Sequence, residues 1–149
     1  MKPGESRVLT GDSLLKYLPH RTPILLVDTY FGRDDEASFT GFTPVSGSLF
    51  CPGDFFLEEG IIEHAAQSVA LAAGMDSVAQ GTGVVPGYVG ALGPFTFYSR
   101  VQAGEELVTA IREIHKYPSF SVIHIRTDCG KRQVAEGELK VVKFNTEGA

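Results

Sequence analysis

The chain has 149 residues, 43% of them hydrophobic, and a formal net charge of −5 at pH 7. This length and composition fit one globular domain, residues 1–149, with a core of its own, and the lack of a Lys/Arg block argues against a nucleic acid partner. No stretch has the length of a signal peptide core or a membrane span, so we expect a soluble, cytoplasmic protein without a transmembrane segment.

The predicted elements before residue 55 are short. The stretch "TGDSLLKYLP" predicts a short helix with Asp12 or Ser13 as its N-cap and Pro19 after its end. The apolar and β-branched run "TPILLVDTYF" predicts a first strand, and the alternating "EASFTGFTP" predicts the next one. The following "VSGSLFCPGD" is predicted to be a loop.

A helix from about Phe55 to Gly74 is the strongest prediction. Its apolar side chains cover most of the circumference, which indicates a helix that is buried on most sides. They are Ile61, Ile62, Ala65, Ala66, Val69, Ala70 and Ala73. Glu63 and His64 lie in the middle of this apolar surface, where a charge is costly unless another group pairs with it or uses it. These two residues are therefore candidates for function.

After the Gly-rich connection "GTGVVPGYVG" the pattern is typical of strands. "PFTFYSRVQ" alternates and predicts a strand, whereas "EELVTAIREIHKY" fits either a strand or a helix. The C-terminal run predicts two strands joined at "CGK", where Gly130 supplies the positive φ of a tight turn. One long buried helix with more strands after it than before it indicates an α+β fold, with an antiparallel sheet wrapped around a central helix.

Four segments resemble those of the hotdog-fold β-hydroxyacyl-acyl carrier protein dehydratases. They extend over roughly residues 14 to 142 and read "LPHRTPILLVD", "GIIEHAAQ", "GYVGALGPFTFYSRVQAGEEL" and "GKRQVAEGEL". The resemblance implies a hotdog fold and a homodimer, with a higher oligomer left open. It also implies acyl-thioester tunnels along the subunit boundary, thioesters of acyl carrier protein or CoA as partners, and no cofactor.

The chemistry that the resemblance implies is a syn elimination of water from 3-hydroxyacyl thioesters. A histidine base removes the C2 proton, a carboxylic acid on the helix protonates the hydroxyl, and backbone N–H groups bind the thioester oxygen. By this resemblance Glu63 is the acid. The family's base lies fourteen residues earlier, where this chain has Leu49, so the usual base is missing. We expect Leu49, Gln67, Gly87 and Gly90 to contact the substrate.

Several candidates have a second interpretation. Glu63 is alternatively half of a structural ion pair, and Glu58 takes the place of the acid if the helix register is read from Pro52-Gly53. His64 of the partner subunit is a candidate for a substitute base, although a core or interface histidine is the plainer interpretation. We expect His20 to order a turn rather than to act in catalysis.

The cysteines and histidines indicate neither a disulfide framework nor a metal site. Cys51 and Cys129 belong to no CxxC pair, and the four histidines lack metal-ligand spacing. Cys51 lies near the position of the missing base but has no adjacent His or Lys to lower its pKa. Three functions stay open, namely a dehydratase, a catalytically silent hotdog partner that binds acyl thioesters, and an acyl thioesterase.

Overall fold

The computed structural model describes residues 7–81 and 87–143. In chain order the elements are β1 (Leu9–Thr10), a 3-10 helix (Gly11–Leu14), β2 (Thr29–Arg33), β3 (Ser38–Phe42), β4 (Phe55–Phe56), α1 (Glu58–Ala79), β5 (Gly87–Phe97), β6 (Val101–Gln102), β7 (Leu107–Lys116), β8 (Phe120–Cys129) and β9 (Arg132–Lys143). Seven strands form one antiparallel sheet in the order β1-β2-β3-β7-β8-β9-β5, and β4 pairs with β6. The helix and sheet form an α+β fold, as the sequence predicts.

The long helix α1 packs on the inner face of the sheet. Along its middle and C-terminal half it contacts apolar side chains of β7, β8 and β9, in a cluster of Ala65, Val69, Ala72, Ile111, Ile123, Ile125 and Leu139. A second cluster surrounds the start of α1 and includes Phe56, Ile61, Val101, Leu107 and Val134. Each fully buried aliphatic side chain contributes roughly 1.5–3 kcal/mol, so these contacts hold α1 at one place on the sheet.

The C-terminal half of the chain matches the expected strands, except that the strand predicted over "PFTFYSRVQ" is interrupted at residues 98–100, between β5 and β6. The segment that fits a strand or a helix is strand β7, in which Leu107, Thr109 and Ile111 point inward and are buried. The turn between β8 and β9 contains Gly130 at φ +58°, as predicted. The helix runs from Glu58 to Ala79 instead of from about Phe55 to Gly74, because Phe55–Phe56 pairs with β6 as strand β4 and Gly74 serves close packing rather than a helix end. A Cβ there would lie 3.0 Å from the carbonyl oxygen of Tyr17.

Other elements differ from the prediction. The run predicted as the first strand is strand only from Thr29, because the backbone of Ile24 and Leu26 takes polar partners from α1, described below. The predicted N-terminal helix is a single 3-10 turn, and Thr10 N donates to Ser13 Oγ at 3.1 Å. Strand β5 begins at Gly87, inside the predicted connection, of which residues 82–86 lie outside the described chain. No helix in the described ranges is long and apolar enough to cross a membrane.

Candidate functional site

Glu63 and Gln67 form a hydrogen-bonded pair on one flank of α1. They are four residues apart and therefore adjacent on the helix surface. Gln67 Nε2 donates to Glu63 Oε1 at 3.0 Å. Glu63 is half-buried, and among the described residues no group hydrogen-bonds its Oε2 and no cation pairs with it. The pair thus fixes one carboxyl oxygen and leaves the other one without a hydrogen-bond partner among the described residues.

Gln67 is held by the backbone of the segment that precedes β2. Its side chain is only 1% exposed, its Oε1 accepts from Leu26 N at 2.6 Å, and its Nε2 also donates to Ile24 O at 2.7 Å. Both amide protons and the carbonyl oxygen are thereby engaged within the chain. Gln67 therefore orients the Glu63 carboxyl group, and its contact with the substrate stays a prediction.

His64 lies in the core between α1 and the sheet. It is completely buried, with Nδ1 2.7 Å from Leu26 O and Nε2 2.8 Å from Thr109 Oγ1. Burial lowers the pKa of His64 to about 4, so the ring is neutral at pH 7. Both nitrogens have partners within the chain, which favours the core histidine over a base that reaches across a subunit boundary.

Three buried threonines form a row beneath His64. Thr40 on β3, Thr109 on β7 and Thr127 on β8 are directly opposite one another in the sheet register. Thr109 Oγ1 lies 2.7 Å from Thr127 Oγ1, and Thr40 Oγ1 donates to Ser68 Oγ at 2.7 Å. We call these three residues the threonine row. It gives the polar side chains of α1 partners in an otherwise apolar interior.

A groove of about 470 Å³ borders the start of α1. Its walls come from β4, the first turn of α1, and the end of β5 with the three residues that follow it. They are Phe55, Phe56, Leu57, Glu58, Glu59, Ile61, Phe97, Tyr98, Ser99 and Arg100. The Arg100 guanidinium lies 3.6 Å above the Phe55 ring. Glu59 is four residues before Glu63, so the groove reaches to within one helical turn of the Glu63–Gln67 pair.

The groove combines apolar walls with hydrogen-bond donors. The first N–H groups of a helix have no partner within the helix and lie at the positive end of its dipole. At α1 these are the N–H groups of Glu58 and Glu59, whose residues line the groove. An apolar chain with a carbonyl oxygen near its end therefore matches the groove in polarity.

Leu49 is 43% exposed in the loop between β3 and β4. The same loop is tied to the helix, because Leu57 N, at the N-cap, donates to Phe50 O at 2.8 Å. Phe50 has a φ of +65°, which is unfavourable for a residue with a bulky side chain. Leu49 is not among the groove-lining residues, and its exposed side chain offers no proton acceptor.

Gly87 and Gly90 lie at the opposite end of β5 from Phe97, which lines the groove. Gly87 is paired with Lys143 in the sheet. A Cβ on Gly90 would lie 2.6 Å from a methyl group of Val142, so close packing between β5 and β9 explains this glycine. The structure does not bring either glycine to the groove.

The turn around His20 is held by Arg21 rather than by the imidazole. Arg21 donates from Nη1 to Leu18 O at 2.7 Å and to His20 O at 2.8 Å, and from Nη2 to Leu15 O at 3.1 Å. The Nδ1 of His20 has no partner among the described residues. A basic residue soon after a helical turn is the sequence signal for this role.

Cys51 is fully buried, and burial raises the pKa of its thiol, which makes it a poor nucleophile. Within residues 7–81 and 87–143 no three His, Cys, Asp or Glu side chains converge in the way a metal ion requires.

Comparisons with known proteins show a matching family model and several similar structures. A family model described as ApeP-like, ApeP dehydratase, matches residues 13–148. The structure is similar to that of the dehydratase heterocomplex ApeI:P from Xenorhabdus doucetiae, with a TM-score of 0.73 and 17% identity over 89% of this chain and 91% of that chain. No curated protein sequence matches significantly.

Two further structures share the fold at lower similarity. The PaaI protein of the E. coli phenylacetic acid degradation operon has a TM-score of 0.60 and 16% identity, over 76% of this chain and 81% of that one. A hypothetical thioesterase with coenzyme A from Streptococcus pneumoniae has a TM-score of 0.61 and 10% identity, over 78% and 84%. These likenesses confirm the predicted hotdog fold.

Proposed function

Because the chain belongs to the ApeP-like dehydratase family, we propose that it is a dehydratase subunit acting on 3-hydroxyacyl thioesters of acyl carrier protein. The observation that carries this proposal is the half-buried carboxyl group of Glu63, of which one oxygen is fixed by Gln67 and the other has no partner among the described residues. A general acid needs this arrangement, because the proton must be presented in one direction.

In the proposed reaction Glu63 donates a proton from Oε2 to the C3 hydroxyl as the C–O bond breaks and water leaves. A base removes the C2 proton, and the electron pair of that C–H bond forms the C2–C3 double bond. The groove holds the acyl thioester, whose carbonyl oxygen gains negative charge as the C2 proton departs. The N–H groups of Glu58 and Glu59 at the start of α1 stabilise that charge.

The base is supplied by a second subunit. Within the described chain His64 has both ring nitrogens engaged in the core, and Leu49 occupies the family position of the base. Among the described strands β5 is an edge of the sheet, with Leu92 54% exposed, and no described strand pairs with its outer backbone groups, which can bond a neighbouring subunit. We propose dimerisation along β5, and the ApeI:P structure shows that a related dehydratase is a heterocomplex.

Basic side chains at the groove favour a carrier protein as the source of the thioester. Arg100 is exposed at the groove, and Arg132 donates from Nη2 to Arg100 O at 3.0 Å, next to the exposed Lys131. Arg132 is itself paired with Glu105 Oε1 at 3.0 Å, which leaves Arg100 and Lys131, without a salt bridge among the described residues, as the cations open to a ligand on a chain of net charge −5. They match the phosphate of a pantetheine arm and an acidic surface beside it.

The test uses 3-hydroxyacyl-carrier protein and enoyl-carrier protein as substrates. The chain is assayed alone and with a histidine-containing hotdog dehydratase subunit, while interconversion and thiol release are followed by mass spectrometry. We expect Glu63→Gln to lower interconversion at least about 100-fold. The matched variant Glu58→Gln, at the alternative carboxylate, should retain activity.

Each other result assigns a different function. Loss of activity in Glu58→Gln but not in Glu63→Gln would move the acid to Glu58. Thiol release without interconversion would identify a thioesterase, for which the structurally similar hypothetical thioesterase is a precedent in fold only. Acyl-thioester binding without any turnover, alone or in the complex, would identify a silent binding partner.

A further inference from the structure

The peptide groups on both sides of Leu26 are bonded to two different side chains of α1. Its N–H donates to Gln67 Oε1 at 2.6 Å, and its carbonyl oxygen lies 2.7 Å from His64 Nδ1. Leu26 lies outside the strands, so these side chains replace the partners that a sheet would provide. Gln67 in turn bonds Glu63, and the three helix residues form one connected network.

The hydrogen atoms of this network have a single consistent arrangement. A carbonyl oxygen only accepts, so the proton of the neutral imidazole lies on Nδ1 and points to Leu26 O. His64 Nε2 is then the acceptor for the Thr109 hydroxyl, and Thr109 Oγ1 accepts from the Thr127 hydroxyl. The order of donation thus runs from β8 through β7 to α1 and on to the segment before β2.

We propose that His64 is a positioning residue for Glu63, acting through Leu26 and Gln67, an inference that rests on Glu63 being the general acid. Gln67 is anchored at Ile24 O and Leu26 N, two points on the same segment. A displacement of that segment moves the Gln67 amide and with it the oxygen of Glu63 that the amide holds. His64 restrains this displacement because it ties Leu26 O to the sheet through Thr109.

A general stabilising role makes a different prediction from a positioning role. The threonine row offers a matched pair of substitutions, since Thr40 and Thr109 are both 0% exposed and face each other across β3 and β7. Thr109 bonds His64, whereas Thr40 bonds Ser68. Thr109→Val and Thr40→Val each remove one buried hydroxyl group from the same layer of the core, but only Thr109→Val breaks the connection to Glu63. Thr109→Val also removes the bond to Thr127, so the Glu63 resonance, rather than stability, is the deciding comparison.

Two readouts test the proposal. In the carrier-protein assay we expect Thr109→Val to lower kcat about tenfold with KM within about twofold, since misplacing a reacting group weakens catalysis more than binding. Thr40→Val should leave both constants within about twofold. The second readout is the side-chain carboxyl ¹³C resonance of Glu63, assigned with Glu63→Gln. It should shift in Thr109→Val and in His64→Asn but not in Thr40→Val.

Equal effects of Thr109→Val and Thr40→Val on kcat, or an unchanged Glu63 resonance in Thr109→Val, would overturn the positioning role. The resonance does not depend on turnover, so it separates this inference from the proposed function. If wild-type protein has no dehydratase activity but the resonance shifts as expected, the dehydratase proposal fails and the coupling of His64 to Glu63 stands. If His64→Asn does not fold, the two threonine variants decide.

Discussion

Replacing His64 with Gln should remove most of the stability loss that protonation of this imidazole causes at acid pH. The buried imidazole titrates at a pKa of about 4 instead of 6.5, because burial disfavours its charged form. Between these two values the unfolded chain binds a proton that the folded chain does not. Stability therefore rises with pH through this window, is fully present above about pH 6.5, and is lost as the pH falls toward 4.

The magnitude follows from the two pKa values. Each pKa unit corresponds to about 1.4 kcal/mol, so lowering the pKa of His64 from 6.5 to about 4 corresponds to roughly 3 kcal/mol in full. About 2 kcal/mol of this is lost between pH 7 and pH 5. For a domain with an unfolding free energy of roughly 5–15 kcal/mol, this is a readily measured fraction.

The assay is urea unfolding at pH 7, 6 and 5 for the wild type, His64→Gln and the control His124→Gln. Glutamine removes the titrating ring at position 64 and can still accept from Thr109. His124 is half-buried on β8, with Nε2 3.2 Å from Glu136, and its variant makes the same chemical change away from the core. Between pH 7 and pH 5 the unfolding free energy of His64→Gln should fall by about 2 kcal/mol less than that of the wild type. His124→Gln should still show the part of the decrease that comes from His64. Parallel curves for wild type and His64→Gln would refute the placement of a neutral imidazole in the core.

Three further substitutions have expected outcomes. Gly60→Ala should lower the unfolding free energy by about 1–3 kcal/mol, because a Cβ at Gly60 would lie 2.6 Å from the Phe56 ring. In the same urea titration the control Gly53→Ala should leave the unfolding free energy nearly unchanged, because a Cβ at Gly53 has no atom within 4 Å. Leu49→His places an imidazole at the family position of the base, and it should give dehydratase turnover to the chain alone, with Leu49→Asn inactive in the same assay. Arg100→Ala should raise KM for carrier-bound substrate about fivefold with kcat unchanged, and an equal KM for mutant and wild type would remove Arg100 from carrier binding.

Local patterns were sufficient to predict much of the fold. The apolar run of α1 is too long for a strand, and the alternation in β8 has the period of a strand. The "EELVTAIREIHKY" segment was ambiguous because its apolar spacing fits both periods, and pairing with β3 and β8 decides for a strand. Residues 24–28 look like a strand in composition, yet partners on α1 take up the backbone groups of Leu26 that a strand would use.

The candidate site was predictable only in part. The Glu63–Gln67 pair follows from a spacing of four residues on a helix, and the structure shows its hydrogen bond. The partners of His64 could not be predicted, because Leu26 and Thr109 are 38 and 45 residues away along the chain. The groove was likewise not predicted, since Phe97 and Arg100 reach the start of α1 only through the fold.

The anchoring of Leu26 by α1 also determines how its amide hydrogen exchanges with solvent. A strand amide exchanges when the ladder that holds it opens, but the amide of Leu26 is held by a side chain on α1. Its protection should therefore end when the helix leaves the sheet, even if β2 and β3 stay paired. Measured in deuterated water against the amides of the sheet, this one proton would report separately the undocking of α1.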